Sequence, residues 1–172
     1  METTDSDKHW YVVLTRTNSE RKVRDYFQSQ EVDTFLPVQN RVIEREGKRI
    51  ERERLLLPRM VFVHISRQEM AAVRSTLNVY DFLRDRSTGA PTCIPDAQMA
   101  DFRYMLDYSQ DQVILTGESI PKGTRVVVAK GDLQGLRGEL VRYNNKYHIL
   151  VRIDMFGSAM VTIPASYVRK EK

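Results

Sequence analysis

The sequence predicts an α+β protein with two domains, an antiparallel sheet with helices followed by a small β-barrel. Up to residue 107, strand and helix patterns follow the order β-α-β-hairpin-β-α-β-α. Hydrophobic periodicity then fades over residues 108–121, where glycine, serine and proline predict a linker. Every later segment is short and strand-like, which is typical of a small barrel. We therefore expect domains at 9–107 and 122–172, preceded by a disordered terminus at 1–8.

The first domain begins with a strand and a helix. The segment Trp10–Thr15 is β-branched or aromatic and apolar on both alternating faces, which predicts a central strand. Thr17 and Glu20 have the spacing of a helix capping box, and Val23, Tyr26 and Phe27 form the apolar stripe of the helix that follows.

Two strand-like arms come next, within residues 41–57, around Glu46-Gly47-Lys48-Arg49. Gly47 can supply the positive φ of a tight hairpin turn. The arms from Arg41 to Arg54 hold six basic and four acidic residues. They are interpreted either as a solvated ribbon or as a DNA contact through Arg45, Lys48 and Arg49, with Arg16 as a second candidate.

The strand Met60–Ile65 carries the hypothesis of a docking surface. Val61, Val63 and Ile65 share one face, and Met60, Phe62 and His64 share the other. If helices cover only the first face, Met60 and Phe62 stay exposed beside Leu14 of the first strand, and an exposed apolar sheet face marks a binding surface. The alternative is that the hairpin or the second domain covers it.

The remaining elements follow from periodicity and turn residues. After a helix at 68–77, a strand at 79–83 and a loop at 87–95, Asp96 caps a helix with the stripe Met99, Phe102 and Leu106. The second domain has predicted strands at 124–130, 138–143, 148–153 and 160–164. Its β-branched runs and glycines disfavour any helical alternative.

Composition excludes several classes of protein. The chain has 172 residues, 41% hydrophobic and 29% charged, and no apolar stretch approaches the 20 or so residues of a membrane span. The acidic start is unlike a secretory signal, and the single cysteine, Cys93, excludes an internal disulfide and fits a reducing cytoplasm. With three scattered histidines and no catalytic motif, we expect neither an enzyme nor a cofactor.

Residues 1–110 carry no net charge and residues 111–172 carry +4, a mild excess compatible with nucleic-acid contact.

A glycine-rich segment carries the most specific motif. Lys130-Gly-Asp-Leu-Gln-Gly-Leu-Arg-Gly-Glu-Leu-Val141 resembles the KOW motif, and its matching positions are Gly131, Leu133, Gly135, Gly138 and Val141. Segments of the first domain resemble, in the same order, the N-terminal (NGN) domain of the NusG family. These segments are Trp10-Tyr-Val-Val13, Glu20-Arg-Lys-Val23, Phe35-Leu-Pro37, Leu57-Pro-Arg-Met-Val-Phe-Val63, Val73-Arg-Ser-Thr-Leu-Asn-Val79 and Ile94-Pro95-Asp96. Departures at Leu57, Arg59 and Met60 make the chain most similar to the UpxY antiterminators of capsular polysaccharide operons.

The resemblance implies a ferredoxin-like (RNP-like) NGN domain and an SH3-like KOW barrel. It also implies a cytoplasmic, monomeric elongation factor that binds the clamp helices of the largest RNA polymerase subunit and contacts upstream or non-template DNA. The polymerase-binding candidates are Leu14, Leu57, Met60, Phe62 and Met99. The barrel would recruit a small-subunit ribosomal protein or the termination factor Rho. The alternative function is a ribosome-associated or RNA-binding KOW protein.

Overall fold

A computed structural model describes residues 7–172; residues 1–6, which belong to the terminus expected to be disordered, lie outside the described residues. The helices and strands are β1 His9–Thr15, α1 Glu20–Ser29, β2 Asp33–Phe35, β3 Val38–Arg45, β4 Lys48–Leu55, β5 Met60–Ile65, α2 Met70–Arg74, β6 Val79–Phe82, β7 Cys93–Ile94, α3 Asp96–Tyr108, β8 Ile114–Thr116, β9 Thr124–Val128, β10 Arg137–Tyr143, β11 Lys146–Ile153, β12 Gly157–Thr162 and β13 Val168–Lys170. The α+β class is therefore confirmed. None of the helices within residues 7–172 is both long and apolar enough to span a bilayer.

The first of two compact units consists of the described residues up to Pro37 together with Leu55–Asp96. Its antiparallel sheet has the strand order β2-β5-β1-β6, and β7 also pairs with β1. β1 is central, as its pattern predicts. Tyr11, Val12 and Val13 follow one another in β1 and are all buried. Since neighbouring side chains point to opposite faces, both faces of this strand are covered.

Helix α1 differs from its prediction at its start and along its stripe. Ser19 is the N-cap and its side chain makes no capping hydrogen bond, so the capping box from Thr17 is wrong. Val23 and Phe27 are buried as expected, whereas Tyr26 is 50% exposed. Glu20 is buried as well, and the helix packs against β2 and β5.

The second unit consists of Val38–Arg54 and Ala97–Lys172. Its main sheet is antiparallel, with the strand order β13-β9-β10-β11-β12-β8, and the strands predicted after residue 121 are confirmed. In the part of the chain that the structure describes, the outer strands β13 and β8 pair only with β9 and β12. The sheet is thus open, and the closed barrel expected from the sequence is not observed.

Part of the predicted linker contributes to this sheet. β8 pairs with β12 in the register Leu115 opposite Ala159. Ile114 and Ile120 pack on the cluster of Val141, Leu150 and Met160. A strand of three residues is too short to show periodicity, which is why the segment resembled a linker.

Side-chain hydrogen bonds attach α3 and the β3–β4 hairpin to other segments of the second unit. The Tyr104 hydroxyl donates to the Gln134 carbonyl over 2.6 Å. Gln98 donates to the Asp154 carboxylate and accepts from the Asp154 backbone N–H, at 3.1 and 2.7 Å. The Gln39 side chain likewise donates to the Asp111 carbonyl and accepts from the Val113 N–H, each over 2.8 Å. The two glutamine side chains thus connect backbone segments that are far apart in the chain.

Candidate functional site

The β1–β5 corner, which consists of Leu14, Leu57 and Met60, retains partly exposed apolar side chains. Leu14 and Met60 are direct partners in the antiparallel pairing of β1 with β5, so their side chains lie side by side on one face. Both are half-buried, and so is Leu57 in the loop that leads into β5. Three of the five predicted polymerase-binding side chains are therefore accessible.

The other two predicted side chains, Phe62 and Met99, are buried, and the expected exposure of Phe62 is wrong. Val61, Phe62 and Val63 have no exposed surface, and Met99 on α3 is 1% exposed. Successive side chains along β5 point to opposite faces of the sheet. Because these three consecutive residues of β5 are all buried, both faces are covered there. The Phe62 ring lies 5.9 Å from the Phe35 ring, centroid to centroid. Phe62 is thus a core residue, and the apolar surface is confined to the end of the strand pair.

A buried carboxylate shapes the backbone beside this corner. Arg59 has a left-handed backbone, with φ of 65°, and its N–H donates to the Glu20 carboxylate over 2.9 Å. Its guanidinium Nε donates to the Thr15 carbonyl over 3.3 Å. Arg16 is exposed, and its backbone N–H bonds to the Asn78 carbonyl over 3.0 Å. The corner is therefore bordered by two arginines from the ends of neighbouring strands.

An ion-pair cluster borders the corner on its other side. Asp81 is the partner of Leu14 in the pairing of β1 with β6. Its carboxylate lies 3.4 Å from Arg74 and 3.3 Å from Arg84. The hydrogen bond from Arg84 lowers the pKa of Asp81 below its usual value. An apolar centre with a charged rim is the arrangement typical of a protein–protein interface.

The hairpin of β3 and β4 forms a separate two-stranded ribbon. Its turn residues Glu46 and Gly47 have φ of 54° and 76°, which is the two-residue turn predicted from Gly47. The tip residues Arg45, Lys48 and Arg49 are exposed, as a nucleic-acid contact requires. Three further exposed cations on the same ribbon were not among the predicted residues: Arg41, Arg52 and Arg54. Counting charges at every second position would have found them.

The glycine-rich segment has the backbone that its sequence requires. Gly131 and Gly135 have φ of 89° and 94°, a region that disfavours other residues. A Cβ on Gly138 would lie 2.6 Å from the Leu150 carbonyl oxygen, so only glycine permits this strand approach. Leu133 and Val141 are buried. These five positions contribute to the packing of the sheet.

A partly buried ion pair lies in the second unit next to this segment, with the Glu139 side chain 6% exposed and the Arg152 side chain 40% exposed. Arg152 donates to both carboxylate oxygens of Glu139, over 2.7 and 3.1 Å, and to the Ile120 carbonyl over 2.9 Å. The Gly123 N–H also donates to Glu139 over 2.9 Å. The hydrogen bond from Arg152 lowers the pKa of Glu139. This arrangement serves structure, and among residues 7–172 no group of histidine, cysteine, aspartate and glutamate side chains is placed to hold a metal ion.

Comparisons with known proteins define the class of protein. The family model described as "Transcription termination factor nusG" matches residues 8–103, which is more than half of the chain. The class is therefore that of a transcription factor. The chain belongs to the NusG family.

A comparison with solved structures shows one of similar fold. The chain is similar to that of "Domain interaction in Thermotoga maritima NusG", with 20% identity, coverage of 98% of this chain and 100% of that one, and a TM-score of 0.52. It also matches two chains of the "MjSpt4:Spt5 complex", conformations A and B, each at 14% identity. They cover 95% and 94% of this chain and 98% and 95% of those chains, with TM-scores of 0.31 and 0.33. Comparison with curated proteins finds no match.

Proposed function

We propose that the protein is a transcription elongation factor that binds RNA polymerase through the β1–β5 corner and promotes processive transcription. The observation that carries the proposal is the pair Leu14 and Met60. These two residues lie within the family-matched residues 8–103 and leave an apolar surface at the end of the β1–β5 strand pair, whose central residues are buried. The clamp helices of the largest polymerase subunit are the proposed partner, because a helix pair can place apolar side chains against such a surface.

The proposal extends to nucleic acid and to the second unit. Arg16 and the ribbon cations would contact upstream or non-template DNA, since exposed arginine and lysine side chains bind phosphates without reading sequence. The KOW-like unit would recruit a small-subunit ribosomal protein or Rho. We propose that the factor acts as an antiterminator on particular operons of the capsular polysaccharide kind, in the manner of the UpxY proteins it resembles.

A transcription assay tests this function directly. Purified polymerase, a long template with a pause site and the full-length protein would be followed in single-round elongation. We expect shorter pauses and more full-length transcript with the protein than without it. No change in pausing or read-through at saturating protein would contradict the proposal.

An RNA-binding or ribosomal function is the competing proposal, and one feature favours it. Tyr147 is 42% exposed, as a base-stacking side chain would be, although Arg142 lies over its ring at 5.4 Å. Capture of native partners on the immobilised protein separates the two. Polymerase subunits support the elongation factor, and ribosomal proteins without polymerase support the alternative.

A further inference from the structure

Charges on the ribbon are sorted by strand position. Side chains point to alternate faces along a strand, so Arg41, Ile43 and Arg45 lie on one face of β3. On β4 the same spacing unites Lys48 and Ile50 with Arg52 and Arg54. Neither set contains an acidic residue.

The turn determines which faces coincide. A two-residue turn through Glu46 and Gly47, both left-handed, places Arg45 directly opposite Lys48. Residues directly opposite share a face of an antiparallel pair. One face of the ribbon, which we name the basic face, therefore carries five cations around two half-buried isoleucines. Its members are Arg41, Ile43, Arg45, Lys48, Ile50, Arg52 and Arg54.

The reverse of the ribbon, the acidic face, has the opposite character. It carries Glu44, Glu51 and Glu53 with the single cation Arg49. The formal charges are thus +5 on the basic face and −2 on the acidic face. Lys48 and Arg49 are neighbours in the chain, yet they belong to opposite faces.

We propose that the basic face binds the phosphate backbones of B-form duplex DNA, with the ribbon lying along the major groove. This inference rests on the proposed function and narrows the DNA contact of the ribbon to one face. Of the ribbon cations it excludes Arg49 and keeps Arg41, Arg45, Lys48, Arg52 and Arg54. The acidic face would be repelled by phosphate, so only one orientation of the ribbon is favourable.

Dimensions and chemistry support duplex DNA as the ligand. The major groove of B-DNA, about 12 Å wide, admits a two-stranded ribbon, whereas the deep and narrow major groove of A-form RNA does not. From Lys48 to Arg54 the strand extends about 20 Å, along which a duplex presents one phosphate charge per about 1.7 Å of its axis. Four of the five cations are arginines, which bind phosphate oxygens in pairs.

Neighbouring substitutions on β4 provide a matched test. Binding of the full-length protein to a labelled DNA duplex of about 25 base pairs would be measured between about 50 and 200 mM KCl, for wild type and the variants Lys48→Gln and Arg49→Gln. Each phosphate contact contributes about 0.9 to the log–log salt slope. We expect Lys48→Gln to lower the slope by about 0.9 and Arg49→Gln to leave it unchanged. The combined variant Arg45→Gln/Lys48→Gln/Arg52→Gln should lower it by two to three.

Equal slopes for Lys48→Gln and Arg49→Gln would overturn the proposal, and so would an unchanged slope in the combined variant. An RNA duplex of equal length that binds as tightly as the DNA would overturn the choice of ligand. Because these side chains are exposed, the melting temperature of each variant should match that of wild type. Elongation stimulated by wild-type protein, combined with equal slopes, would refute the basic face while leaving the proposed function intact.

Discussion

The Glu20 carboxylate accepts a hydrogen bond of 2.9 Å from the backbone N–H of Arg59. Glu20 is the first residue of α1, is 4% exposed, and so connects the start of the helix to the turn before β5. The turn requires a left-handed residue at Arg59, and Leu57 and Met60 lie on either side of it. One buried carboxylate therefore links the start of α1 to the turn that precedes Met60.

Replacement of Glu20 tests this link. Glu20→Ala should lower the free energy of unfolding by about 2 kcal/mol, because it leaves the Arg59 N–H without its charged acceptor. Glu20→Gln keeps an acceptor oxygen, and its loss should be less than half as large. Denaturant midpoints of the two variants give the comparison. Equal midpoints for alanine and glutamine would mean that the hydrogen bond does not hold the turn.

Phe62 should now behave as a core residue. Its ring has no exposed surface, so Phe62→Ala should reduce the free energy of unfolding by about 3–5 kcal/mol through lost burial and a cavity. Tyr80, 73% exposed in the same unit, provides the control, and Tyr80→Ala should change stability by no more than about 0.5 kcal/mol. Similar unfolding midpoints for the two variants would show that Phe62 is accessible after all.

Acid should weaken the second unit through Glu139. The pKa of Glu139 is lower in the folded chain, chiefly because Arg152 donates to its carboxylate. The stabilisation is thus complete above the unfolded pKa, near 4.3, and is lost as pH falls through the folded pKa. Between pH 5 and pH 3 the melting temperature should fall less steeply for Glu139→Gln than for wild type.

Glu118→Gln is the matched control for this pH dependence, since Glu118 is exposed. Its melting temperature should follow that of wild type at every pH. A Glu139→Gln variant with the same acid slope as wild type would assign the acid sensitivity to other carboxylates.

Much of the fold could be predicted because strand patterns are local. β1, β5 and the strands after residue 121 consist of β-branched and aromatic residues whose alternation marks them directly. Gly47 identified the hairpin turn for the same reason. The partner of Glu20 could not be predicted, since a glutamate at this position suits a capping box and a tertiary hydrogen bond equally well.

Burial on the second face of β5 is a tertiary property. Met60 and Phe62 alternate in the same way with Val61 and Val63. No local pattern predicts at which residue of the strand this face changes from buried to exposed. The structure leaves Met60 partly exposed and Phe62 buried. In contrast, the alternation of charges along each strand of the ribbon already predicts a basic and an acidic face. Only the register of the turn was needed to show which faces of the two strands coincide.

The most direct test of the central claim is a binding measurement. The affinity of the full-length protein for RNA polymerase core enzyme would be measured for wild type and for the variants Met60→Ala and Met155→Ala. Met155 is 50% exposed in the second unit and controls for the loss of a methionine side chain. If the β1–β5 corner binds polymerase, Met60→Ala should weaken binding about tenfold, or about 1.4 kcal/mol, while Met155→Ala binds as wild type does. Equal affinities for the two variants, or no binding by the wild-type protein, would contradict the account.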